Sequence, residues 1–86
     1  MITGTTASGF AYAITDEALN DWELVEDLTR IDAGQPGTMV SAVRRLLGED
    51  GYKALKEHCR TSSGRVGAAE MLRELEDIFA NVKLKN

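Results

Sequence analysis

His58 and Cys59 are the two side chains best suited to nucleophilic or metal chemistry, and the chain contains one residue of each type. Neighbouring residues in a helix point about 100° apart, so the imidazole and the thiol do not face each other in a helical segment. A Cys–His nucleophile pair is therefore not built locally. One histidine and one cysteine also cannot fill a four-ligand zinc site. We interpret Cys59 as a small buried hydrophobic residue and His58 as a partly exposed residue near a helix end.

Carboxylate pairs occur at several places, including Asp16-Glu17, Glu49-Asp50 and Glu76-Asp77. Adjacent acids on a helix diverge, and no loop has the fixed spacing of a calcium-binding loop. The glycine-containing segments 34–38 and 62–65 lack the lysine and the spacing of a phosphate-binding loop. The sequence therefore predicts a protein that is not an enzyme, with no catalytic residue, no cofactor, no metal and no small-molecule substrate.

Length and composition indicate one small globular domain. The chain has 86 residues, of which 43% are hydrophobic and 28% charged. No apolar run approaches the length of a membrane span, and the first residues do not resemble a signal peptide. We expect a cytoplasmic protein that does not bind membranes.

The N-terminal region contains a short extended pattern. Residues 1–9 show no periodicity and are predicted to form a flexible arm ahead of a single helical domain, 10–86. Phe10, Tyr12 and Ile14 alternate with alanines, which places these three side chains on one side of a strand-like segment. No second strand is evident nearby, so this segment is expected to lie along the helices or to pair with another chain.

Four helices are predicted from apolar residues at helical spacing, in the segments 20–31, 36–47, 50–60 and 66–82. Asn20 is the predicted N-cap of the first helix, with Glu23 three residues later, and Gly48 is predicted to end the second. The predicted fold class is all-α: a small bundle of about four helices with an extended N-terminal arm that contains the segment Phe10–Ile14.

Large apolar side chains in the extended segment, at the edge of the first helical stripe and along the broad stripe of the fourth helix could contact a partner. The candidate partner-binding residues are Phe10, Tyr12, Ile14, Trp22, Met71, Ile78 and Phe79.

Charge is unevenly distributed along this acidic chain, whose formal net charge is −4. Residues 1–37 contain seven acids and one base, whereas residues 38–66 contain six bases and three acids. A net negative charge disfavours nucleic acid as a partner. The asymmetry either has no function or favours self-association, in which the acidic part of one copy meets the basic part of another.

A family resemblance runs from Phe10 to Phe79. The segments that carry it are Phe10–Ile14, Leu19–Val25 with Glu26, Leu46–Gly48, Tyr52–His58, Gly64–Val66 and Glu74–Phe79. In this order they resemble the small tail assembly chaperones of long-tailed bacteriophages, including prophages of Gram-positive hosts. The family often has proline where this chain has Gly67, and both residues are compatible with a helix start.

The resemblance implies a role in protein binding. Such chaperones coat the long, apolar, helix-rich tape measure protein before the tail tube polymerises around it, and they are absent from the mature virion. Many are made in two lengths through a ribosomal frameshift. The implied partner of this chain is the tape measure protein, and the implied location is the cytoplasm of the bacterial host.

Two other function classes remain open. A small structural component of the phage head–tail connector would share the helices and the acidity, but it would be present in the virion. A helical regulator could bind nucleic acid through a helix-turn-helix in the middle of the chain, although the acidic first third and Glu57 oppose this. The bases available to such a regulator are Arg44, Arg45, Lys53, Lys56, Arg60 and Arg65.

Overall fold

Two short strands form an antiparallel hairpin at the N-terminus of the computed structural model, which describes residues 1–32 and 36–85. Strand β1 (Ile2–Thr5) pairs with β2 (Ala11–Ile14) in the register that places Ile2 opposite Ile14. Residues 1–9 were predicted to be an arm without regular structure, and the structure instead gives them the partner strand that β2 lacked. The all-α prediction is corrected accordingly: the protein is mostly helical with a two-stranded sheet.

The sheet requires glycine at one position. Gly4 lies opposite Tyr12, and a Cβ atom at Gly4 would sit 2.5 Å from the Tyr12 hydroxyl oxygen. The same hydroxyl accepts a hydrogen bond from the side-chain amide of Asn81. The absence of a side chain at Gly4 therefore lets the Tyr12 ring lie across β1 and reach the C-terminal helix.

Four helices follow the hairpin within the described residues: α1 (Asp16–Leu19), α2 (Trp22–Asp32), α3 (Met39–His58) and α4 (Ala68–Lys85). A 3₁₀ turn, Pro36–Thr38, precedes α3. Asn20 was the predicted cap of α2, but it ends α1, and Oδ1 of Asp21 accepts the backbone N–H of Glu23 at 2.9 Å instead. Both asparagine and aspartate are good N-caps, so the sequence pattern placed the start of α2 one residue early.

A kink at Gly48 divides α3 into two arms. Gly48 has φ 76° and ψ 171°, a conformation that is almost restricted to glycine. The second and third helices predicted from sequence are these two arms, so the predicted stop at Gly48 corresponds to a real break in the helical backbone. The short helix α1 was not predicted.

The core lies where the inner face of the hairpin meets α3 and α4. The largest fully buried side chains are Ile14 of β2, Val43, Leu46 and Leu55 of α3, and Ile78 of α4. Complete burial of such a side chain stabilises the fold by about 1.5–3 kcal/mol. None of the helices within 1–32 and 36–85 is both long enough and apolar enough to cross a lipid bilayer.

Arg60 organises the loop between α3 and α4. Its guanidinium donates two hydrogen bonds to the Glu57 carboxylate, at 2.8 and 3.0 Å, and one to the carbonyl oxygen of Gly64 at 2.7 Å. The hydrogen bonds and charge of Arg60 lower the pKa of Glu57. The loop then returns to the core, where the N–H of Gly67 donates to the carbonyl oxygen of Cys59.

Gly48 and Gly37 provide a matched test of the kink, because a Cβ atom at either position would meet no atom within 4 Å. Of these two glycines, Gly48 has a positive φ and Gly37 does not. We expect Gly48→Ala to lower the free energy of unfolding by about 1–3 kcal/mol, because alanine is strained in that conformation. Gly37→Ala should be neutral or slightly stabilising. Urea denaturation followed by circular dichroism measures both, and equal effects would contradict the kinked backbone.

Candidate protein-interaction site

Six of the seven candidate partner-binding residues belong to the core or pack against it. Phe10, Tyr12, Ile14 and Ile78 are buried, and Met71 and Phe79 are partly buried against the same cluster. The side chains of the extended segment are buried because this face of the hairpin packs against the helices. In this conformation Trp22 is the candidate that offers a substantial apolar surface to solvent.

Trp22 lies at the start of α2 with 74% of its surface exposed. Val25, one helical turn further along, is 44% exposed. Their neighbour Leu24 points to the other side of the helix and is buried in the core. Because residues three apart share a helix face, Trp22 and Val25 form one apolar stripe on the outer side of α2.

A groove adjoins Trp22. It has a volume of about 500 Å³ and lies between α1, the end of β2 and the kink of α3. Its lining is mixed. The apolar side chains are Ala13, Ala18, Trp22, Leu46 and Leu47, and the polar ones are Thr15, Glu17, Asn20, Asp21 and Arg45. We call the exposed side chains of Trp22 and Val25 and this groove the Trp22 surface.

Arg45 lies in the wall of the groove among three carboxylates of α2 and its cap. Its guanidinium nitrogens are 3.5 Å from Asp21, 3.4 Å from Glu23 and 3.6 Å from Asp27. Its Nε atom is buried and has no hydrogen-bond partner among the described residues. Asp27 also accepts a hydrogen bond from Ser41 at 2.7 Å. One guanidinium thus faces three carboxylates, so acidic groups are in excess in this cluster.

These ion pairs alter the interpretation of the charge asymmetry. The sequence suggested that the acidic first third could meet the basic middle of another copy. Through Arg45, part of the basic segment meets the acidic segment within one chain. Other bases of the middle segment also have local contacts, since Arg44 and Lys56 both lie over the Tyr52 ring, 5.0 and 4.8 Å from its centroid.

A second polar cluster fastens the hairpin to α4. The buried Glu74 carboxylate accepts hydrogen bonds from the hydroxyl of Thr6 at 2.6 Å and from that of Ser8 at 2.9 Å. Asp77, one turn further, accepts the backbone N–H of Ala7 at 3.1 Å. We call this cluster of Thr6, Ala7, Ser8, Glu74 and Asp77 the clasp. Sequence reasoning missed it, because its partners are up to 70 residues apart and only the carboxylates were visible as a pattern.

The clasp brings a serine, a histidine and a carboxylate together, but not in the order of a hydrolase triad. Ser8 Oγ lies 2.9 Å from His58 Nε2, and Glu74 Oε1 lies 3.8 Å from the same nitrogen. In a triad the carboxylate holds the opposite ring nitrogen, so that Nε2 is left to take the serine proton. Ser8 instead donates to the carboxylate. This geometry suits a structural clasp rather than an activated nucleophile.

Cys59 is buried beside the clasp, as the sequence predicted. Burial raises the pKa of its thiol, and the negative charges of Glu74 and Glu70 raise it further. The thiol is therefore kept protonated and poorly nucleophilic. Within 1–32 and 36–85, no three His, Cys, Asp or Glu side chains are arranged to hold a metal ion.

In comparisons with known proteins, no family model, curated protein or solved structure matches this chain. The Trp22 surface and the clasp are therefore interpreted from their own geometry.

Substitutions at Thr6 and at its neighbour Thr5 provide a matched test of the clasp, because the two threonines differ in burial. Thr6 is buried, donates to Glu74 and accepts the N–H of Phe10, whereas Thr5 is exposed. We expect Thr6→Val to destabilise the protein by about 1–3 kcal/mol, because buried polar groups lose their partners. Thr5→Val should change stability by no more than about 0.5 kcal/mol. Thermal unfolding measures both, and a neutral Thr6→Val would show that the clasp contributes little.

Proposed function

We propose that this protein is a tail assembly chaperone of a long-tailed bacteriophage or prophage, which binds the tape measure protein during tail morphogenesis. The proposal combines the family resemblance, which runs from Phe10 to Phe79, with one structural observation. Trp22, the chain's one tryptophan, is 74% exposed on a helix.

An exposed tryptophan is unusual, because the residue is highly buried on average. Trp22 is not an isolated apolar side chain, since Val25 and the groove adjoin it. Tryptophan is also enriched among the residues that contribute most of the binding energy at protein interfaces. An apolar surface that is accessible in the folded chain is what a chaperone needs to hold an apolar, helix-rich client.

The proposed action needs only noncovalent contacts. The protein binds its client in the cytoplasm of the bacterial host and is displaced before the tail is complete, so that the mature virion does not contain it. A head–tail connector component would also use protein contacts, but it would remain in the particle. The composition of the virion therefore separates the two functions.

A pull-down tests client binding directly. We expect the tagged chain to retain the long helix-rich protein encoded beside it when the two are co-expressed, and Trp22→Ala to reduce its recovery at least tenfold. A tenfold loss corresponds to about 1.4 kcal/mol, within the range of a tryptophan at an interface. The matched control is Leu72→Ala, since Leu72 is also exposed but lies on α4.

Mass spectrometry of purified virions provides the second measurement. We expect the capsid and tail proteins without this chain. Its presence in stoichiometric amounts would contradict the chaperone proposal and favour a connector component. A pull-down that retains no client from the co-expressing cells would also count against the chaperone proposal.

We also propose that copies of the chain associate through opposite charges. The exposed acids Glu17 and Glu26 lie in the acidic segment, and the exposed bases Lys53 and Arg65 lie in the basic one. Light scattering should show a mass that rises with protein concentration and falls as salt is raised from about 0.1 M to about 1 M, where the Debye length shrinks from about 10 to about 3 Å. A monomer under all conditions would exclude this association.

A further inference from the structure

We infer that the partner segment bound at the Trp22 surface is an amphipathic helix with an apolar stripe flanked by lysine or arginine. The inference rests on the proposed function, because it states the chemistry of the client segment that the same surface accepts. It is carried by two independent features of the surface, its apolar spacing and its charge.

The apolar spacing matches a helix. Trp22 and Val25 are one turn apart on α2, and the groove beside them opens over Ala18 and Leu47. Helices that bind in a groove present apolar anchors at positions i, i+3 or i+4 and i+7. These anchors recur about once per helical turn, as Trp22 and Val25 do on α2. A partner helix can therefore place one apolar side chain in the groove and the next against Trp22 or Val25.

Carboxylates outnumber basic side chains around this apolar stripe, where Arg30 of α2 and Arg45 of α3 are the nearby bases. Glu17 lines the groove, and Glu23 and Glu26 are exposed on α2 next to the stripe. Arg45 is the cation that lines the groove, and it already contacts three carboxylates. An acidic partner segment would meet like charge, whereas lysine or arginine beside the apolar anchors would find carboxylates. Complementary charge raises the association rate and selects the partner.

Two synthetic peptides test the inference without any knowledge of the natural client. Both are helices of about five turns with leucine at the same positions; one carries lysine and the other glutamate at the remaining sites. Neither contains tryptophan, so the fluorescence emission reports Trp22 alone. We expect the leucine–lysine peptide to shift the emission to shorter wavelength as Trp22 leaves water, and the leucine–glutamate peptide to produce no shift.

Charge-reversal variants separate a defined site from general attraction to an acidic protein. The double variant Glu17→Lys/Glu26→Lys should weaken binding of the leucine–lysine peptide at least tenfold. The control is Glu76→Lys/Glu70→Lys, which makes the same change in net charge at two exposed acids of α4. Equal weakening by both pairs, or an emission shift of the same size with the leucine–glutamate peptide, would overturn the inference.

Calorimetry with Trp22→Ala gives a second measurement that does not use fluorescence. We expect at least a tenfold loss of affinity for the leucine–lysine peptide, with Leu72→Ala unchanged. Unaltered affinity in Trp22→Ala would overturn the assigned site.

The outcomes for the client and for the peptides are distinguishable. If the leucine–lysine peptide binds at Trp22 but the tape measure protein is not retained, the proposed function fails and the surface chemistry stands. If the tape measure protein is retained equally by the wild type and by Glu17→Lys/Glu26→Lys, the function stands and the partner chemistry fails.

Discussion

The buried carboxylate of Glu74 is the contact on which the arrangement of this protein depends. It joins the hairpin to α4 through the hydroxyls of Thr6 and Ser8. A carboxylate with 4% of its residue surface exposed needs such donors, because an unpaired buried charge is strongly destabilising. Since the hairpin is held in this position, the aromatic side chains of Phe10 and Tyr12 enter the core. The N-terminal strands thus stabilise the fold and leave little apolar surface of their own for a partner.

The packing of α2 against α3 determines which of its apolar side chains remain outside. The core cluster accommodates the inward face of β2 and the stripes of α3 and α4, and Trp22 lies beyond its edge. The same part of α2 carries the acids around Arg45, so the exposed apolar stripe has a negative border. Charged edges around an exposed apolar surface favour a partner of opposite charge.

Sequence reasoning succeeded where the pattern was local. The helical stripes are in the segments predicted for them, and Gly48 marks a true break, because both features depend on residues a few positions apart. It failed for β1, because Ile-Thr-Gly-Thr contains one apolar residue and no alternation. It also missed the clasp, since Thr6 and Glu74 are 68 residues apart and neither is distinctive alone. Trp22 was identified as a candidate because it lies at the edge of its helical stripe, a local feature.

The kink at Gly48 links the backbone to the Trp22 surface. Leu46, Leu47 and Gly48 line the groove beside Trp22, so the groove exists where α3 changes direction. Leu46 is buried, whereas Leu47 is partly exposed at the groove. A straight α3 would carry these residues along one helical axis, and the space between α1 and α3 would have a different shape. A single glycine conformation therefore shapes the groove as well as the fold, since it sets the direction of the groove wall beside Trp22.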